Sequence, residues 1–448
     1  MSVSRGRSLT ADVEPYAHVR LEDDVRESLQ NLRAHRPTLQ QRIQMIEHSA
    51  RVGVEVSFLG FPAASALEAS HCQQLVTHLA SAALPVQPVL MARALIADLR
   101  AVLEIQQRTG TAVTADLFIS TSPIRQAVEG WDLRDMLQRI QAVAAQAERE
   151  DLAFRIAFED STRTPPADLS VCVQAALDCG ARTIVLNDTA GACLPTLARE
   201  HVEFVADTIR AAGHTLTCDT PTDHSTITSS GTRAVPARRS EPSGEIELAW
   251  HGHNDMGLAL ANSLAAAEGG ARLISGTFLG IGERAGNLAL EQIIVLLDNQ
   301  RSPATVSTEG TDRVDENPRY DLKALPAMCE LVSQSLQIEI PRHQPIVGQD
   351  VFSTATGTHA AAVVKAGRLG PQAQDEIYSA VPAQALGRHQ QLLINANSGR
   401  AGIAQVLREL GLPYDEATIS AVLARTQTQS GLLSADDLSQ VTAAVPIP

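Results

Sequence analysis

Eight short apolar runs, each followed by a stretch of helical periodicity, fill about the first 280 residues of this 448-residue chain, and eight such repeats are what a closed α/β barrel requires. The runs fall at 18–25, 54–60, 86–91, 113–120, 153–158, 182–187, 245–251 and 272–278. Amphipathic stretches between them include 66–82, 94–108, 133–149, 166–179, 198–212, 256–268 and 288–298. Strands that alternate with helices form a parallel sheet with helices on its faces. An open doubly wound sheet is the alternative, but the count of eight favours closure. The expected fold class is α/β, a (β/α)8 TIM barrel followed by a mainly helical C-terminal appendage.

Three segments are assigned on this basis. Residues 1–300 form the catalytic barrel, 301–319 a polar linker and 320–448 the C-terminal subdomains. Residues 219–244, rich in Ser, Thr, Pro and Arg, interrupt the rhythm before the seventh strand and are expected to be a mobile loop at the non-catalytic end. Its basic cluster, Arg233, Arg238 and Arg239, is expected to be solvated and without function.

Composition narrows the function classes. A net charge of −15 argues against a nucleic-acid partner, which clustered Lys and Arg would bind. Apolar residues make up 44% of the chain but aromatics only 3%, so the core must rest on Ala, Val, Leu and Ile. No run of about 18 apolar residues occurs, so no membrane span is expected. The six cysteines are scattered without a CxxC pair, and the N-terminus has no apolar signal core. A reducing cytoplasm is the expected setting.

The chemistry should lie at the C-terminal strand ends, where barrels of this kind carry their sites. The seventh strand ends Trp250-His251-Gly252-His253. Side chains two apart on a strand share a face, so the two imidazoles point the same way and can ligate one divalent metal. They could equally be a hydrogen-bonded polar pair. Asn254 and Asp255, next in sequence, are expected to orient them. Past the first strand, Glu27 can supply a carboxylate ligand and Arg26 a cation for an oxygen that gains charge. Taken alone, these two read equally as a charged helix start. Strand five ends Phe158-Glu159-Asp160-Ser161-Thr162-Arg163, and strand six ends Asn187-Asp188-Thr189-Ala190-Gly191. After strand eight, Gly280 to Asn287 form a glycine-rich loop with backbone N–H groups for an anion, and Asn287 is expected to cap the next helix.

The runs HGHNDMGLALANSLAAAEGGA (251–271) and GTFLGIGERAGNLALE (276–291) resemble a signature of the isopropylmalate synthase and homocitrate synthase family. GFPAAS (60–65), STSPI (120–124), FEDSTR (158–163), NDTAG (187–191), PIVGQDVF (345–352), GTHAAAVVKA (357–366) and NSGRAGI (397–403) are similar to further family segments. The resemblance spans roughly 18–440. It implies a Claisen condensation of acetyl-CoA with a 2-oxo acid, releasing CoA and a malate-type product. It implies a divalent metal on Glu27, His251 and His253, with Asn287 at or near it; manganese is favoured over zinc, cobalt or magnesium. Arg26 would be the electrostatic catalyst. Glu159, counted among the catalytic residues, and Thr189 would help hold the 2-oxo acid or the acyl group; Gly282 and Gly286 and, as a departure from the family, Arg125 are the further substrate-binding candidates. His359, helped by Tyr378, would act as an acid/base group entering the barrel of a partner in a homodimer.

The sequence also departs from the family pattern. Glu22-Asp23-Asp24-Val25-Arg26 stands where the family reads Asp-x-Thr-Leu-Arg. Phe58 replaces the usual acid of strand two, Arg125 replaces a His, and Ala360-Ala361 follow His359 where isopropylmalate synthases carry Gln-Asp. An added cation and a lost anion favour a 2-oxo acid with a second anionic group, as in the phosphinomethylmalate synthase branch of antibiotic pathways. Homocitrate, citramalate and isopropylmalate synthesis are the alternatives, together with a lyase of the hydroxymethylglutaryl-CoA type. A barrel without catalysis would not be expected to retain Arg26, Glu27, His251 and His253 together. The chain stops where leucine-regulated members continue, so feedback by leucine is not expected.

Overall fold

The computed structural model describes Tyr16 and residues 18–31, 33–219, 244–301 and 319–445. Most of the expected 219–244 loop, its three arginines and nearly all of the expected linker lie outside the described residues.

Eight parallel strands close on themselves. They are β1 (Arg20–Asp23), β2 (Val56–Gly60), β3 (Gln87–Arg93), β4 (Thr114–Ser120), β5 (Ala153–Glu159), β6 (Thr183–Asp188), β7 (Glu245–Gly252) and β8 (Leu273–Gly276). Each pairs with the next in sequence, and β8 returns to β1 with Leu273 opposite Arg20. The expected TIM barrel is therefore the observed fold. A two-residue strand, Thr215–Leu216, adds to the start of β7.

Helices α1 (Leu39–Val52), α2 (Ala66–Ser81), α3 (Ile96–Thr109), α4 (Leu133–Arg149), α5 (Pro166–Asp178), α6 (Pro195–Ala211), α7 (Ala259–Glu268) and α8 (Leu290–Arg301) follow the strands in turn. Periodicity had not singled out α1. Its inward face carries Arg42, which is 1% exposed, and Ser49 beside Met45, Ile46 and Val52, so the apolar stripe is broken by a charge. Glu68 and the Leu59 carbonyl partner the outer nitrogens of that guanidinium, with Arg42 Nη2 donating at 3.0 and 2.6 Å, while its buried Nε has no partner. A buried cation is tolerable only with such partners. The short helix Pro123–Glu129 after β4 buries none of its residues.

The barrel interior is filled in layers. Val56, Phe58, Val89, Ala157, Val185, Ala249 and Leu273 form a buried cluster, with Met91 and Phe118 packed against it. A buried ion triad also joins β1, β4 and β5: Arg155 pairs with Glu22 at 2.6 Å and with Asp116. Removing one member of such a group leaves an unpaired buried charge, which costs about 3–5 kcal/mol.

The chain divides into two compact units. Residues 319–339 group with the barrel, so the helix Leu325–Leu336 packs with α1. The sequence reading had assigned that helix to the C-terminal subdomains. The second unit covers 340–445 among the described residues. It contains the helices Gly357–Ala366, Arg400–Glu409, Glu416–Thr426 and Ala435–Ala443, and a core of Ile394, Ile403, Leu407, Ile419, Val422, Leu433 and Leu438.

Candidate active site

β7 delivers His251 to the mouth of the barrel, and His253 follows it, bridging to Asn287 just after the strand. The alternation that puts the two imidazoles on one face holds: their ring centroids are 5.2 Å apart with planes at 84°. Glu27 joins them from β1. The strand stops at Asp23, and Val25–Ser28 form one helical turn capped by the Asp24 carboxylate, which accepts from Glu27 N at 2.9 Å. Arg26 and Glu27 thus start a helix and also face the site.

The potential ligand atoms of Glu27, His251 and His253 all lie within 4.8 Å of one another. All three residues are at most 9% exposed. Burial pushes the His251 imidazolium well below its ordinary range, and the neighbouring His253, Arg26, Arg155 and Arg284 push it further. Burial likewise lowers His253, against the pull of Glu27. Both rings are therefore neutral and have lone pairs to offer. His251 Nδ1 lies 3.4 Å from the Ser275 hydroxyl, and the buried His253 Nδ1 has no partner.

Asn287 supplies an independent sign of a ligand. It is 1% exposed, yet neither its Oδ1 nor its Nδ2 has a hydrogen-bond partner. An amide left so is costly unless something else in the site meets it. The expectation that Asn287 caps the next helix is corrected: α8 begins at Leu290, and the Asn287 side chain bonds to no backbone there. One carboxylate, two neutral imidazoles and an adjacent unmet amide fit a divalent cation with open coordination positions.

The glycine loop shapes this corner sterically. A Cβ on Gly282 would sit 2.1 Å from Asn287 Nδ2 and 3.3 Å from Glu27 Cγ. Gly286 holds φ at +86°, and a Cβ there would strike the Gly280 carbonyl at 1.9 Å. Asn254 and Asp255 do not hydrogen-bond to the imidazoles, which corrects the second expectation. Asn254 Oδ1 accepts from Ala259 N at 3.1 Å, and Asp255 takes both arms of Arg284 at 2.9 and 3.0 Å. Those groups are spent on holding the loops after β7 and β8.

Arg26 is held from two sides by charge. Nη2 lies 2.7 Å from Asp24 and Nη1 2.6 Å from Glu27, while the buried Nε has no partner. Burial pushes the Asp24 carboxyl up to about 7, with Arg26 pulling the other way.

The β4–β6 side of the mouth is more open. Glu159 accepts from the Ser120 hydroxyl at 2.5 Å and faces Arg125 Nε at 3.5 Å. Arg125, 38% exposed, also pairs with Glu129 at 3.1 Å. The extra cation inferred from sequence is therefore shared between two carboxylates. Thr189 Oγ1 accepts from Asp160 N at 2.9 Å, and Asn187 lies in register with His251 on the neighbouring strand. Behind this side, the ring of His201 reaches the Ser161 hydroxyl at 3.1 Å. It borders a cavity of about 340 Å³ between the loops after β5 and β6.

Sequence reasoning passed over Ser275, Ser120 and the Glu22–Asp116–Arg155 triad. The signal was available: on β5, Arg155 shares a face with Glu159, four positions on. In the second unit, His359 and Tyr378 come together as a stacked pair, 4.3 Å between centroids and 29° between planes, with Tyr378 53% exposed.

With this geometry in hand, the similarity to known proteins is specific. The HMGL-like family model matches residues 20–218 and 212–332, and the chain belongs to that family. Its curated relatives include 2-isopropylmalate and homocitrate synthases, in line with the resemblance read from sequence. The 2-isopropylmalate synthase of Methylacidiphilum infernorum is 26% identical over 392 residues, which cover 87% of this chain and 67% of that protein. Homocitrate synthase AksA of Methanocaldococcus jannaschii is 26% identical, over 87% of this chain and 81% of its own length. A 2-isopropylmalate synthase of Staphylococcus aureus is 30% identical over 85% of this chain, which spans 64% of that relative. Among solved structures, hydroxymethylglutaryl-CoA lyase from Pseudomonas aeruginosa matches with a TM-score of 0.52 at 17% identity, over 72% of this chain and 94% of that one. That likeness bears on the fold alone.

Proposed function

We propose that the protein is a metal-dependent acyltransferase that condenses acetyl-CoA with a 2-oxo acid. The observation that carries this reading is the convergence of Glu27, His251 and His253, with the unmet amide of Asn287 beside them. The names of the 2-isopropylmalate and homocitrate synthase relatives support the reaction class.

Glu27, His251 and His253, with Asn287 beside them, would hold a divalent metal, which when bound would supply polarisation of the keto group of the 2-oxo acid. Arg26 steadies negative charge that builds on the keto oxygen during attack, and its partnerless Nε is a donor free for that purpose. Thr189 and Glu159 hold the substrates, with Arg125 at the outer edge and Gly282 and Gly286 letting the loop approach closely. His359, with Tyr378 stacked on it, assists removal of a proton from the acetyl methyl group. The new carbon–carbon bond forms to the keto carbon, whose oxygen takes up a proton. Water then cleaves the thioester and releases CoA. In this reading His359 reaches the barrel of a second copy, so the working form is a homodimer. Manganese is the favoured metal and the cytoplasm the favoured compartment. In this reading residues 1–300 carry the chemistry, and the unit from residue 340 onward supplies His359 and Tyr378.

Among 2-oxo acids we favour one with a second anionic group, of the phosphinopyruvate type. Phe58 in place of an acid and the presence of Arg125 support it. Homocitrate-, citramalate- and isopropylmalate-forming substrates are the competing arms of the test. CoA thiol release from acetyl-CoA is measured with Mn2+ against a panel including phosphinopyruvate, phosphonopyruvate, 2-oxoglutarate, pyruvate and 2-oxoisovalerate. Turnover with phosphinopyruvate is the expected result. Turnover only with another acid overturns the substrate assignment, and no thiol release with any acid overturns the reaction class.

A further inference from the structure

Phe58 is 4% exposed and sits in the buried core cluster of the barrel. Two guanidinium groups lie over its ring. The Arg26 Cζ is 4.9 Å from the ring centroid and the Arg155 Cζ 5.2 Å. Both arginines already have their carboxylates: Asp24 and Glu27 for Arg26, Glu22 and Asp116 for Arg155. A further acid at position 58 would add a fifth carboxylate to four that are each at most 3% exposed. An aromatic face instead attracts both cations through its quadrupole and adds no charge.

We propose that Phe58 is a positioning residue for Arg26, its ring serving as the platform that fixes the plane of the guanidinium. Ion pairs through Nη1 and Nη2, with Nη1 also donating to Gln30 Oε1 at 3.2 Å, fix the end of that group but leave Nε and the stem unheld. Contact of the guanidinium with the Phe58 ring restricts its tilt, so Nε keeps one direction without donating to a protein partner. The guanidinium is then preorganised for charge that develops on a substrate oxygen, where a small misalignment is expensive. Arg155 anchors the same ring from the triad, so the platform is tied to three strands.

This rests on the acyltransferase reading, and the test keeps the two apart. Phe58→Leu removes the π face at similar volume, Phe58→Met is a second such variant should Leu pack poorly, and Phe58→Tyr restores the face. The expected result is a kcat about tenfold lower in the Leu and Met variants, which corresponds to about 1.4 kcal/mol. KM for the 2-oxo acid and the affinity for Mn2+ stay within about threefold, and Tyr recovers most of kcat. Equal losses in Leu and Tyr, a change borne by KM alone, or a loss of Mn2+ affinity overturns the proposal. A second readout needs no turnover: urea midpoints for Arg26→Met, Phe58→Leu and the double variant. The shifts are expected to be non-additive, since the two side chains touch. Additive shifts overturn the platform. If the wild-type protein shows no acetyl-CoA-dependent turnover, the reaction reading has failed, and the urea cycle alone decides the platform.

Discussion

The two sides of the barrel mouth are built on different principles. On the β1, β7 and β8 side, Glu27, His251, His253 and Asn287 are all at most 9% exposed, and several of their polar atoms lack protein partners. On the β4 to β6 side, Arg125, Glu159, Ser120 and Thr189 are bonded to one another or to backbone and Arg125 is 38% exposed, with Ser122 Oγ and Asn187 Oδ1 among the buried atoms left unmet there. Burial without partners is tolerated where a ligand is to complete the set, because an unmet polar atom in a low-dielectric site binds strongly. A satisfied, partly exposed pair such as Arg125–Glu159 costs little to keep and can be exchanged for substrate contacts. On the proposed function, the first side would hold the metal and carry the chemistry, and the second would be where substrates are told apart.

The comparison breaks most directly through the ligands. His251→Ala or Glu27→Gln is expected to lower Mn2+ affinity by more than about a hundredfold, since losing even an outer partner of a ligand costs up to that much. Isothermal titration against the wild-type protein reads this, and a variant that kept both metal and activity would falsify the site.

A smaller effect tests how the open side is supported. Burial pushes the His201 imidazole down to about 4 from its ordinary 6.5. The unfolded chain therefore takes up a proton between those values while the folded protein does not. Stability is fully present above about 6.5 and falls as the pH drops toward 4, by up to about 3 kcal/mol. Urea midpoints across that window should fall, and His201→Gln should flatten part of the slope. A slope unchanged by the substitution contradicts this account of His201.

The smallest expected effect concerns Arg125. Arg125→Ala should raise KM about tenfold for a 2-oxo acid with a second anionic group, about the value of one exposed charge-assisted contact. It should change KM little for one with a neutral side chain and leave kcat near the wild-type value. Equal changes for both substrates would remove Arg125 from specificity and leave it as a partner of Glu159 and Glu129.

Much of this was legible in the chain itself. Strand and helix periods differ, so eight alternations marked the barrel, and period two put His251 and His253 on one face. α1 is harder to read because Arg42 stands on its buried side, where Glu68, 26 residues away, and the Leu59 carbonyl make that burial possible. Asn287 was read as a cap because an Asn before a helix usually is one; here its amide is turned to the site instead.

What the sequence determined by itself was local and periodic: the fold class, the mouth of the barrel as the site, and the donors able to gather there. What only the tertiary structure decided was which of those groups meet. Arg155 reaches Glu22 across 133 positions of chain, Arg125 shares Glu159, and the Phe58 ring lies under two guanidinium groups. Such contacts form between strands brought side by side by closure of the sheet, and no spacing along the chain encodes them. The same closure excludes water from the β1 and β7 side, leaving neutral imidazoles and an unmet amide where the sequence shows only polar residues.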